Sequence, residues 1–338
     1  MNAKDTDQSN SDRRYASPQK TSALAIVYHY YEKDPCYRDN LIFFLATAVD
    51  EISDYFIIIS GDCSLNLPEM ANVTYIWTKN WNNDFGGYCT FVNEYLVRPY
   101  QAFIFVNSSV RGPFLPGYEN RSWTEIFLKP LTDKVHLVGA SINTPKHRNP
   151  LSDTTVARQK GMSVANPHVQ TTAYAMSAEA MRHLREIGFY SITAKLSKEE
   201  VITIYEIGLS NAIFQNGWEI VDLLSSNEKL DTLSQENGHP NFSSRKGDPL
   251  FARAYYGRTL SPTEALFVKV NRNMISQCDL ASYTFSSLLR SQEKLKKFPE
   301  AQKLLTKSYE TAKTLSRPNA IKSLGSKINR WMRRKPSN

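Results

Sequence analysis

Polar side chains that could bind a ligand follow a strongly apolar run near the middle of the chain. The run 102–106 is rich in aromatic and β-branched residues, which predicts a strand that is covered on both faces. Asn107, Ser108 and Ser109 follow it directly, and Arg111 comes two residues later. In open α/β sheets ligands bind outside the carboxyl ends of the strands, so this turn could contact a polar or anionic group. A polar turn that only leaves the strand explains the same residues equally well.

Three further strand-like runs end in residues of a similar kind. His29 lies at the end of the first, Asp62 follows the second, and the loop after the third contains Asp84 and Gly86. If the strands are parallel, all of these positions lie along one edge of the sheet. A strand-end aspartate can accept hydrogen bonds from ribose hydroxyls or from a uracil or thymine imide, and glycines before a helix let backbone N–H groups approach a phosphate. Gly-Gly before a helix is also common as a simple tight turn.

The elements that would position these residues alternate along the chain. Strands are predicted at 23–31, 55–60, 73–78, 102–106 and 135–142, with a further extended run at 169–176. Helices are predicted at 37–52, at 88–96, from a cap at Ser177 to Ile187, and from a capping box at Ser197 to Gly217. This alternation predicts an α/β fold with a mostly parallel sheet flanked by helices, an architecture of the nucleotide-binding type.

Composition limits the class of protein. With 338 residues and 41% hydrophobic content, the chain can form one large α/β domain or two smaller ones. The four cysteines are far apart in the sequence, so neither a zinc site nor a disulfide framework is indicated. The polar N-terminus lacks the apolar core of a signal peptide, and no apolar run is long enough to span a bilayer. We therefore expect a cytoplasmic protein.

Five sequence blocks occur in a recognisable order. They are NNDFGG (82–87), FVNSSVRGPFLP (105–116), PHVQTTAYAMS (167–177), YEIGLS (205–210) and PTEALFVKVNR (262–272). Through these blocks, residues 23–272 resemble the glycosyltransferases of the rhamnan-synthesis F group and related capsule and lipopolysaccharide proteins. The resemblance implies a GT-A-like fold and a nucleotide-diphosphate sugar as donor. It also implies hexosyl or deoxyhexosyl transfer to a growing glycan or lipid-linked acceptor in surface polysaccharide biosynthesis.

The resemblance also implies roles for the residues at the strand ends. Asp62 would meet the nucleotide base or ribose, and Asp84 would lie near the donor. The turn 107–109 would occupy the place where GT-A enzymes usually carry Asp-x-Asp, but it has no carboxylate. Without two carboxylates a Mg²⁺ or Mn²⁺ ion lacks its usual oxygen ligands, so Arg111 or a helix N-terminus would have to neutralise the diphosphate. We therefore expect no metal site and no other cofactor.

Later residues would complete such a site. An inverting sugar transfer needs a carboxylate that takes the proton of the acceptor hydroxyl, and Glu206 is the candidate, with a solvent-facing helix glutamate as the alternative. His168 and Gln170 could bind acceptor hydroxyls or donor phosphate, although His168 could equally be a core histidine. Lys269 and Arg272 could clamp a diphosphate, with ordinary surface charges as the alternative.

The end of the chain differs in charge from the remainder. The whole chain has a formal charge of +8, and residues 291–338 carry thirteen Lys and Arg against three Glu, so the remaining residues are nearly neutral. At helical spacing the tail places Ile321, Leu324, Ile328, Trp331 and Met332 on one face and Lys322, Lys327, Arg330, Arg333 and Arg334 on the other. This pattern predicts a helix that lies in an anionic membrane interface, which would make the protein peripheral to the inner face of the membrane. A helix docked on the body and a nucleic-acid arm are alternatives, but without a nucleic-acid module in the body we expect no nucleic-acid partner.

Three segments follow from these observations. Residues 1–21 are predicted to be disordered by composition, 22–275 to form the GT-A-like catalytic domain, and 276–338 to form a basic helical extension. The missing Asp-x-Asp leaves one alternative to an enzyme, a non-catalytic protein of the same fold that binds glycans or nucleotide sugars.

Overall fold

A computed structural model describes residues 23–143, 167–191, 194–224, 247–272 and 274–316. The strands are β1 (Leu24–Tyr30), β2 (Asp54–Ser60), β3 (Val73–Thr78), β4 (Ala102–Asn107), β5 (Val110–Arg111), β6 (Val135–Gly139), β7 (Ile142–Asn143), β8 (His168–Val169), β9 (Ala173–Ser177), β10 (Glu219–Asp222) and β11 (Val268–Lys269). The α-helices are α1 (Pro35–Thr47), α2 (Asn83–Thr90), α3 (Trp123–Leu128), α4 (Ala178–Glu186), α5 (Lys198–Val201), α6 (Gly208–Gln215), α7 (Pro262–Ala265), α8 (Gln277–Arg290), α9 (Gln292–Leu295) and α10 (Pro299–Ser316). Two π-helical segments, Phe91–Tyr95 and Ile202–Ile207, continue α2 and α5.

The central sheet of the described residues has seven strands in the order β10-β6-β9-β4-β1-β2-β3. Strands β1, β2, β3 and β4 pair in parallel, as do β6 and β10. Only β9 runs in the opposite direction within this sheet, between β4 and β6. Helices cover both faces. The predicted α/β architecture, a mostly parallel sheet flanked by helices, is therefore confirmed.

The strands at the centre of the sheet are apolar because both of their faces are covered. Every residue of β1 is buried, and its side chains alternate between two cores. One core packs Ile26 and Tyr28 of β1 against α1 and the C-terminal helices. The other packs Val27 of β1 against α2, α4 and α6. Burial on both sides holds the strand ends, and the loops that follow them, in fixed positions.

The helix that follows β3 begins earlier than predicted. It starts at Asn83 rather than at residue 88, after Asn82 and Asn83 adopt left-handed backbone conformations with φ of 49° and 53°. Gly86 therefore lies inside α2, where an added Cβ would overlap the backbone carbonyl of Trp81. The expectation that Gly86 stands in a loop and presents backbone donors to a phosphate is wrong, because this glycine allows close packing instead.

The other predicted elements agree with the structure except at their ends. Ser177 caps α4 through a hydrogen bond from the Ala180 N–H, as predicted. The capping box at Ser197 is also confirmed, with Glu200 as its other member. The predicted extended run at 169–176 divides into β8 and β9, which belong to different sheets.

Helices α8 and α10 form the C-terminal part of the described chain. They pack against each other and against α1, and Leu280, Leu288 and Phe298 belong to the same core as α1. The helical character predicted for the extension is confirmed over 277–316. The amphipathic stretch from Ile321 to Arg334, like residues 1–21, lies outside the described residues. Among the described helices, none has the length and apolar character needed to cross a bilayer.

Candidate functional site

A cavity of about 400 Å³ lies at the edge of the sheet where β1 and β4 end. We call it the carboxyl-edge cavity. Its lining comes from widely separated parts of the chain: His29, Tyr31, Lys33, Tyr37, Asn80, Asn83, Asp84, Asn107, Ser108, Ser109, Asn143, Gln170, Thr171, Thr172, Lys198, Glu206, Lys269 and Arg272. Ligands of open α/β folds bind at this edge, because the loops that leave parallel strands converge there.

His29 forms part of the cavity wall at the end of β1. Its Nε2 is hydrogen-bonded to Ser60 Oγ at 2.8 Å, and Ser60 Oγ is hydrogen-bonded to Thr78 Oγ1 at 2.8 Å. This row joins the ends of β1, β2 and β3. Burial lowers the pKa of His29 to about 3, because the imidazolium would lose its hydration. The ring is therefore neutral at physiological pH and acts as a hydrogen-bonding group rather than as a cation.

The predicted turn after β4 is held by the side chain of Asn107. Its Oδ1 accepts hydrogen bonds from the N–H of Ser109 at 3.1 Å and from Ser109 Oγ at 2.6 Å. Its Nδ2 donates to Asp84 Oδ2 at 2.9 Å. The N–H of Ser108 donates to the His29 carbonyl at 2.9 Å. These bonds place Asn107, Ser108 and Ser109 together in the wall of the cavity, where the sequence predicted a ligand-binding turn.

Asp84 lies in the first turn of α2 and is 8% exposed. Burial raises the pKa of its carboxyl group above the usual value, while the hydrogen bond from Asn107 and the charge of Lys269 act in the opposite direction. The start of a helix also favours a negative charge. Asp84 therefore lies in the cavity wall beside the turn that contains Asn107. Asn107 and Lys269 offset part of the cost of burying its carboxylate.

Glu206 projects into the cavity from the π-helical segment Ile202–Ile207. Segments of this type are rare, and they occur frequently at functional sites. Burial raises the pKa of Glu206 to about 7, and the negative charge of Asp84 adds to this effect. The cations Lys269, Arg272 and Lys198 oppose it. A carboxyl group with a pKa near 7 suits proton transfer at neutral pH, because a substantial fraction is unprotonated while the carboxylate remains a useful base.

Lys269 and Arg272 also line the cavity, from β11 and the residues just after it, a few positions beyond α7. Lys269 pairs with Val110 in the short β11–β5 ladder, which joins it to the turn after β4. Burial lowers the pKa of Lys269, and the charge of Arg272 lowers it further. Arg272 forms an ion pair with Asp248 and stacks over the Phe251 ring at 4.4 Å.

Gln170 and Thr172 are buried side chains with oxygen atoms that lack partners. The Gln170 amide Nε2 donates to Asn143 Oδ1 at 2.6 Å and to Asp248. Among the described residues, neither Gln170 Oε1 nor Thr172 Oγ1 has a hydrogen-bond partner, although the two residues are only 5% and 6% exposed. Unpaired buried polar atoms are costly, and both atoms are almost completely covered, so they can bond to a ligand only if their side chains turn toward the cavity.

Four predicted site residues lie elsewhere. The guanidinium of Arg111 is buried and donates to Asn40 Oδ1 at 2.8 Å and to Thr284 Oγ1 at 3.2 Å. It therefore does not line the cavity, and the expectation that it neutralises a diphosphate is not met. Asp62 is exposed and does not line the cavity either. His168 is hydrogen-bonded to Asn143 at 3.3 Å and lies behind the lining. Gly86 lies inside α2 as described above.

The remaining predicted residues do converge. The cavity lining contains His29, Asp84, the turn 107–109, Gln170, Glu206, Lys269 and Arg272. Sequence reasoning missed Thr172, Lys33 and Lys198. Two signals were available: Thr172 completes the polar triplet 170–172, which interrupts an otherwise apolar run, and Lys33 follows β1 closely. Lys198 follows the predicted cap Ser197, but nothing in the sequence indicates that it faces a cavity.

The charges of the cavity favour an anion. Four cations line it (Lys33, Lys198, Lys269 and Arg272) against two carboxylates. The described residues contain no cluster of three His, Cys, Asp or Glu side chains that could hold a metal ion. Asp84 is already hydrogen-bonded to Asn107 and the neighbouring turn offers no second carboxylate, so these residues do not fit an oxygen-ligated Mg²⁺ or Mn²⁺ site.

No family model matches the sequence, and no curated protein matches it. Solved structures similar to the chain include the galactosyltransferase LgtC with donor and acceptor sugar analogues, at 12% identity and a TM-score of 0.32, covering 62% of this chain and 81% of that one. Another is the mannosyltransferase PcManGT from Pyrobaculum calidifontis with GDP-Man and Mn²⁺, at 9% identity and a TM-score of 0.37, covering 91% and 81%. The bifunctional glycosyltransferase WbbM matches at 10% identity and a TM-score of 0.35. The match covers 59% of this chain but only 38% of the WbbM chain. A likeness of this degree says nothing about the reaction or the substrate of this protein.

Proposed function

We propose that this protein is a glycosyltransferase that uses a nucleotide-diphosphate sugar as donor and binds it in the carboxyl-edge cavity. The observation that carries the proposal is that Glu206, whose pKa is about 7, lines a single cavity together with four cations. The ordered sequence blocks that resemble the rhamnan-synthesis F group support the same activity.

The cations give the cavity its affinity for a diphosphate. Lys269 and Arg272 come from one segment of the chain, and Lys33 and Lys198 from two others, so three separate segments contribute positive charge to the lining. Arginine and lysine are the usual partners of phosphate, and their charges also stabilise the nucleoside diphosphate as it leaves. Arg272 is held in place by Asp248 and Phe251, so little side-chain freedom is lost when it binds.

Glu206 supplies the proton acceptor that the reaction needs. In a transfer with inversion, the acceptor hydroxyl attacks the anomeric carbon, the bond to the diphosphate breaks, and the hydroxyl proton passes to a carboxylate. Glu206 faces the cavity, and its pKa of about 7 lets it serve as that base at neutral pH. Asp84 is bonded to Asn107 and shapes the cavity wall, so we assign it to donor binding rather than to proton transfer.

The unpaired oxygens account for recognition of hydroxyl groups. Gln170 Oε1 and Thr172 Oγ1 can each accept a hydrogen bond from a sugar hydroxyl once their side chains turn toward the cavity, and His29 and Ser109 offer further polar contacts. We assign Gln170 to the acceptor rather than to the donor phosphate, because its amide nitrogen already donates to Asn143 and Asp248 and its oxygen can only accept. The cations take the place of a divalent metal in this proposal.

The finer assignment rests on the resemblance alone. We propose hexosyl or deoxyhexosyl transfer to a glycan or lipid-linked acceptor in capsule or lipopolysaccharide assembly, at the cytoplasmic face of a membrane. Lipid-linked acceptors lie at that surface, and the basic tail after residue 316 has the composition that attracts a protein to anionic lipid. Flotation of the full chain and of a chain ending at residue 316 with vesicles that contain an anionic lipid tests the membrane assignment.

A panel of nucleotide sugars tests the main proposal. A ligand that binds only the folded state raises the melting temperature, so we expect at least one nucleotide sugar to do so and to be turned over when an acceptor is added. Stabilisation without turnover by the unmodified protein, with any acceptor offered, would favour a nucleotide-sugar-binding protein. If no nucleotide sugar of the panel raises the melting temperature, the carboxyl-edge cavity is not a donor site.

A further inference from the structure

Arg111 is the one strongly buried arginine next to the ligand-binding turn, and all of its described polar contacts are to protein groups. It is 5% exposed. Its Nε donates to Asn40 Oδ1 at 2.8 Å, its Nη1 donates to Thr284 Oγ1 at 3.2 Å, and its Nη2 lies 3.7 Å from Asp39 Oδ2. A buried guanidinium is tolerated only when its donors are satisfied, so this arrangement fixes the positions of its partners as well.

Asn40 connects this buried cation to the cavity. Arginine can only donate and a backbone carbonyl can only accept, so the two ends of the Asn40 amide have assigned roles. Oδ1 accepts from Arg111, and Nδ2 donates to the carbonyl of Ser108 at 2.9 Å. Ser108 lines the carboxyl-edge cavity, and its Oγ accepts a hydrogen bond from the N–H of Tyr31 at 3.3 Å. A displacement of Asn40 would therefore move the turn that forms the cavity wall.

The other side of Arg111 is completed by the C-terminal helices. Thr284 lies on α8, is fully buried, and donates its own hydroxyl proton to the Leu280 carbonyl at 2.7 Å, which leaves its oxygen free to accept from Arg111. Lys307 on α10 forms an ion pair with Asp39 at 2.8 Å, so the same carboxylate faces both Arg111 and the last described helix. Residues 173 positions apart thus share one hydrogen-bond network.

We propose that Arg111 is a positioning residue through which helix α8 holds the ligand-binding turn in place. The path runs from Thr284 to Arg111, from Arg111 to Asn40, and from Asn40 to the carbonyl of Ser108. The inference rests on the proposed function, because it assigns the network a role in binding the donor. It gives the C-terminal helices a part in the active site although none of their residues line the cavity.

Substitutions at Thr284 test this path without touching the cavity. Thr284→Val keeps the shape of the side chain but removes the oxygen that receives the Arg111 donor, whereas Thr284→Ser keeps the oxygen. We expect Thr284→Val to weaken the binding of UDP, GDP or dTDP, whichever the unmodified protein binds, by about tenfold in calorimetric titration. Thr284→Ser should bind as the unmodified protein does. A purely structural role predicts a lower melting temperature in both variants and no difference between them in nucleotide affinity.

Asn40→Asp tests the next step along the path. The substitution keeps an acceptor for Arg111 but places a carboxylate oxygen against the Ser108 carbonyl. Asn72→Asp is the matched control, because Asn72 Nδ2 also donates to backbone carbonyls, at 2.6 and 2.7 Å, but lies at the opposite end of the strands. We expect a donor KM about tenfold higher for Asn40→Asp, an unchanged acceptor KM, and no change for Asn72→Asp.

The outcomes separate this inference from the proposed function. Unchanged nucleotide affinity in both Thr284→Val and Asn40→Asp, with normal binding by the unmodified protein, overturns the positioning role alone. If the unmodified protein binds none of the three nucleoside diphosphates, the proposed function and this inference both fall. Should Asn40→Asp not fold, the comparison of the two Thr284 variants decides the question.

Discussion

Replacing Glu206 with glutamine should abolish sugar transfer and, at the same time, stabilise the protein above neutral pH. The cause is the same for both effects. The cavity raises the pKa of Glu206 from 4.5 to about 7, so the folded protein holds the proton more tightly than the unfolded chain does. Glutamine has nearly the shape of the protonated acid but cannot ionise. The substitution therefore removes both the base and the cost of forming a carboxylate in the cavity.

The sign and size of the stability effect follow from proton linkage. Because the pKa is higher in the folded state, the stability due to this group is fully present below pH 4.5 and is lost as the pH rises to about 7. Each pKa unit corresponds to about 1.4 kcal/mol, so the loss is roughly 3 kcal/mol at most, and water at the partly exposed side chain reduces it. Glu206→Gln should thus equal the unmodified protein in stability near pH 4.5 and exceed it at pH 8.

Two assays measure the two effects. Urea denaturation at pH 4 and at pH 8 should show a gain for Glu206→Gln only at the higher pH. The rate of sugar transfer by the unmodified protein, as kcat/KM, should rise with pH through about 7, and Glu206→Gln should lower it by about 10² to 10⁴-fold. Glu199→Gln, an exposed change at the start of the same helix, is the control and should alter stability by less than about 0.5 kcal/mol.

The reasoning is refuted if Glu206→Gln is no more stable than the unmodified protein at pH 8, because the carboxylate is then not disfavoured in the cavity. If the variant transfers sugar at an unaltered rate, Glu206 is not the base. A stability gain combined with full activity would leave the electrostatic description intact and would require another proton acceptor.

Three further predictions follow from the same cavity. Lys269→Met should weaken the binding of a nucleoside diphosphate by about tenfold or more in calorimetric titration, and unchanged binding would exclude Lys269 from the diphosphate site. Thr172→Val removes one unpaired oxygen, so kcat/KM should fall about tenfold with an unchanged melting temperature, whereas an unchanged kcat/KM would show that no substrate hydroxyl bonds there. Gly86→Ala should lower the melting temperature by several degrees, about what 1–3 kcal/mol of overpacking costs, because the new methyl group overlaps the Trp81 carbonyl. Gly117→Ala is its control, since its methyl group would meet only Arg290 Nη1 at 3.9 Å, and equal melting temperatures for the two variants would contradict the packing argument.

The sequence alone determined the strands and the edge at which the cavity lies. The runs that form β1, β2 and β4 are apolar because both of their faces are covered, and this burial is visible as nearly continuous hydrophobic residues without any knowledge of the fold. Parallel pairing then places the ends of these strands at one edge. For that reason His29, Asp84 and Asn107 were predicted to lie along one edge, and all three line the carboxyl-edge cavity.

Only the tertiary structure decided which polar side chains reach that site. Arg111 follows the turn 107–109 in sequence, yet its guanidinium does not line the cavity and instead donates hydrogen bonds to Asn40 and to Thr284, far along the chain. Thr172 was predicted within an extended run, yet it lies between β8 and β9 and lines the cavity, and its hydroxyl oxygen has no partner among the described residues. Hydrophobic periodicity reports whether a backbone segment is buried, which is a local property of the chain. The direction and charge of a polar side chain depend instead on the groups that folding brings beside it, and those groups come from distant segments whose proximity no local pattern records.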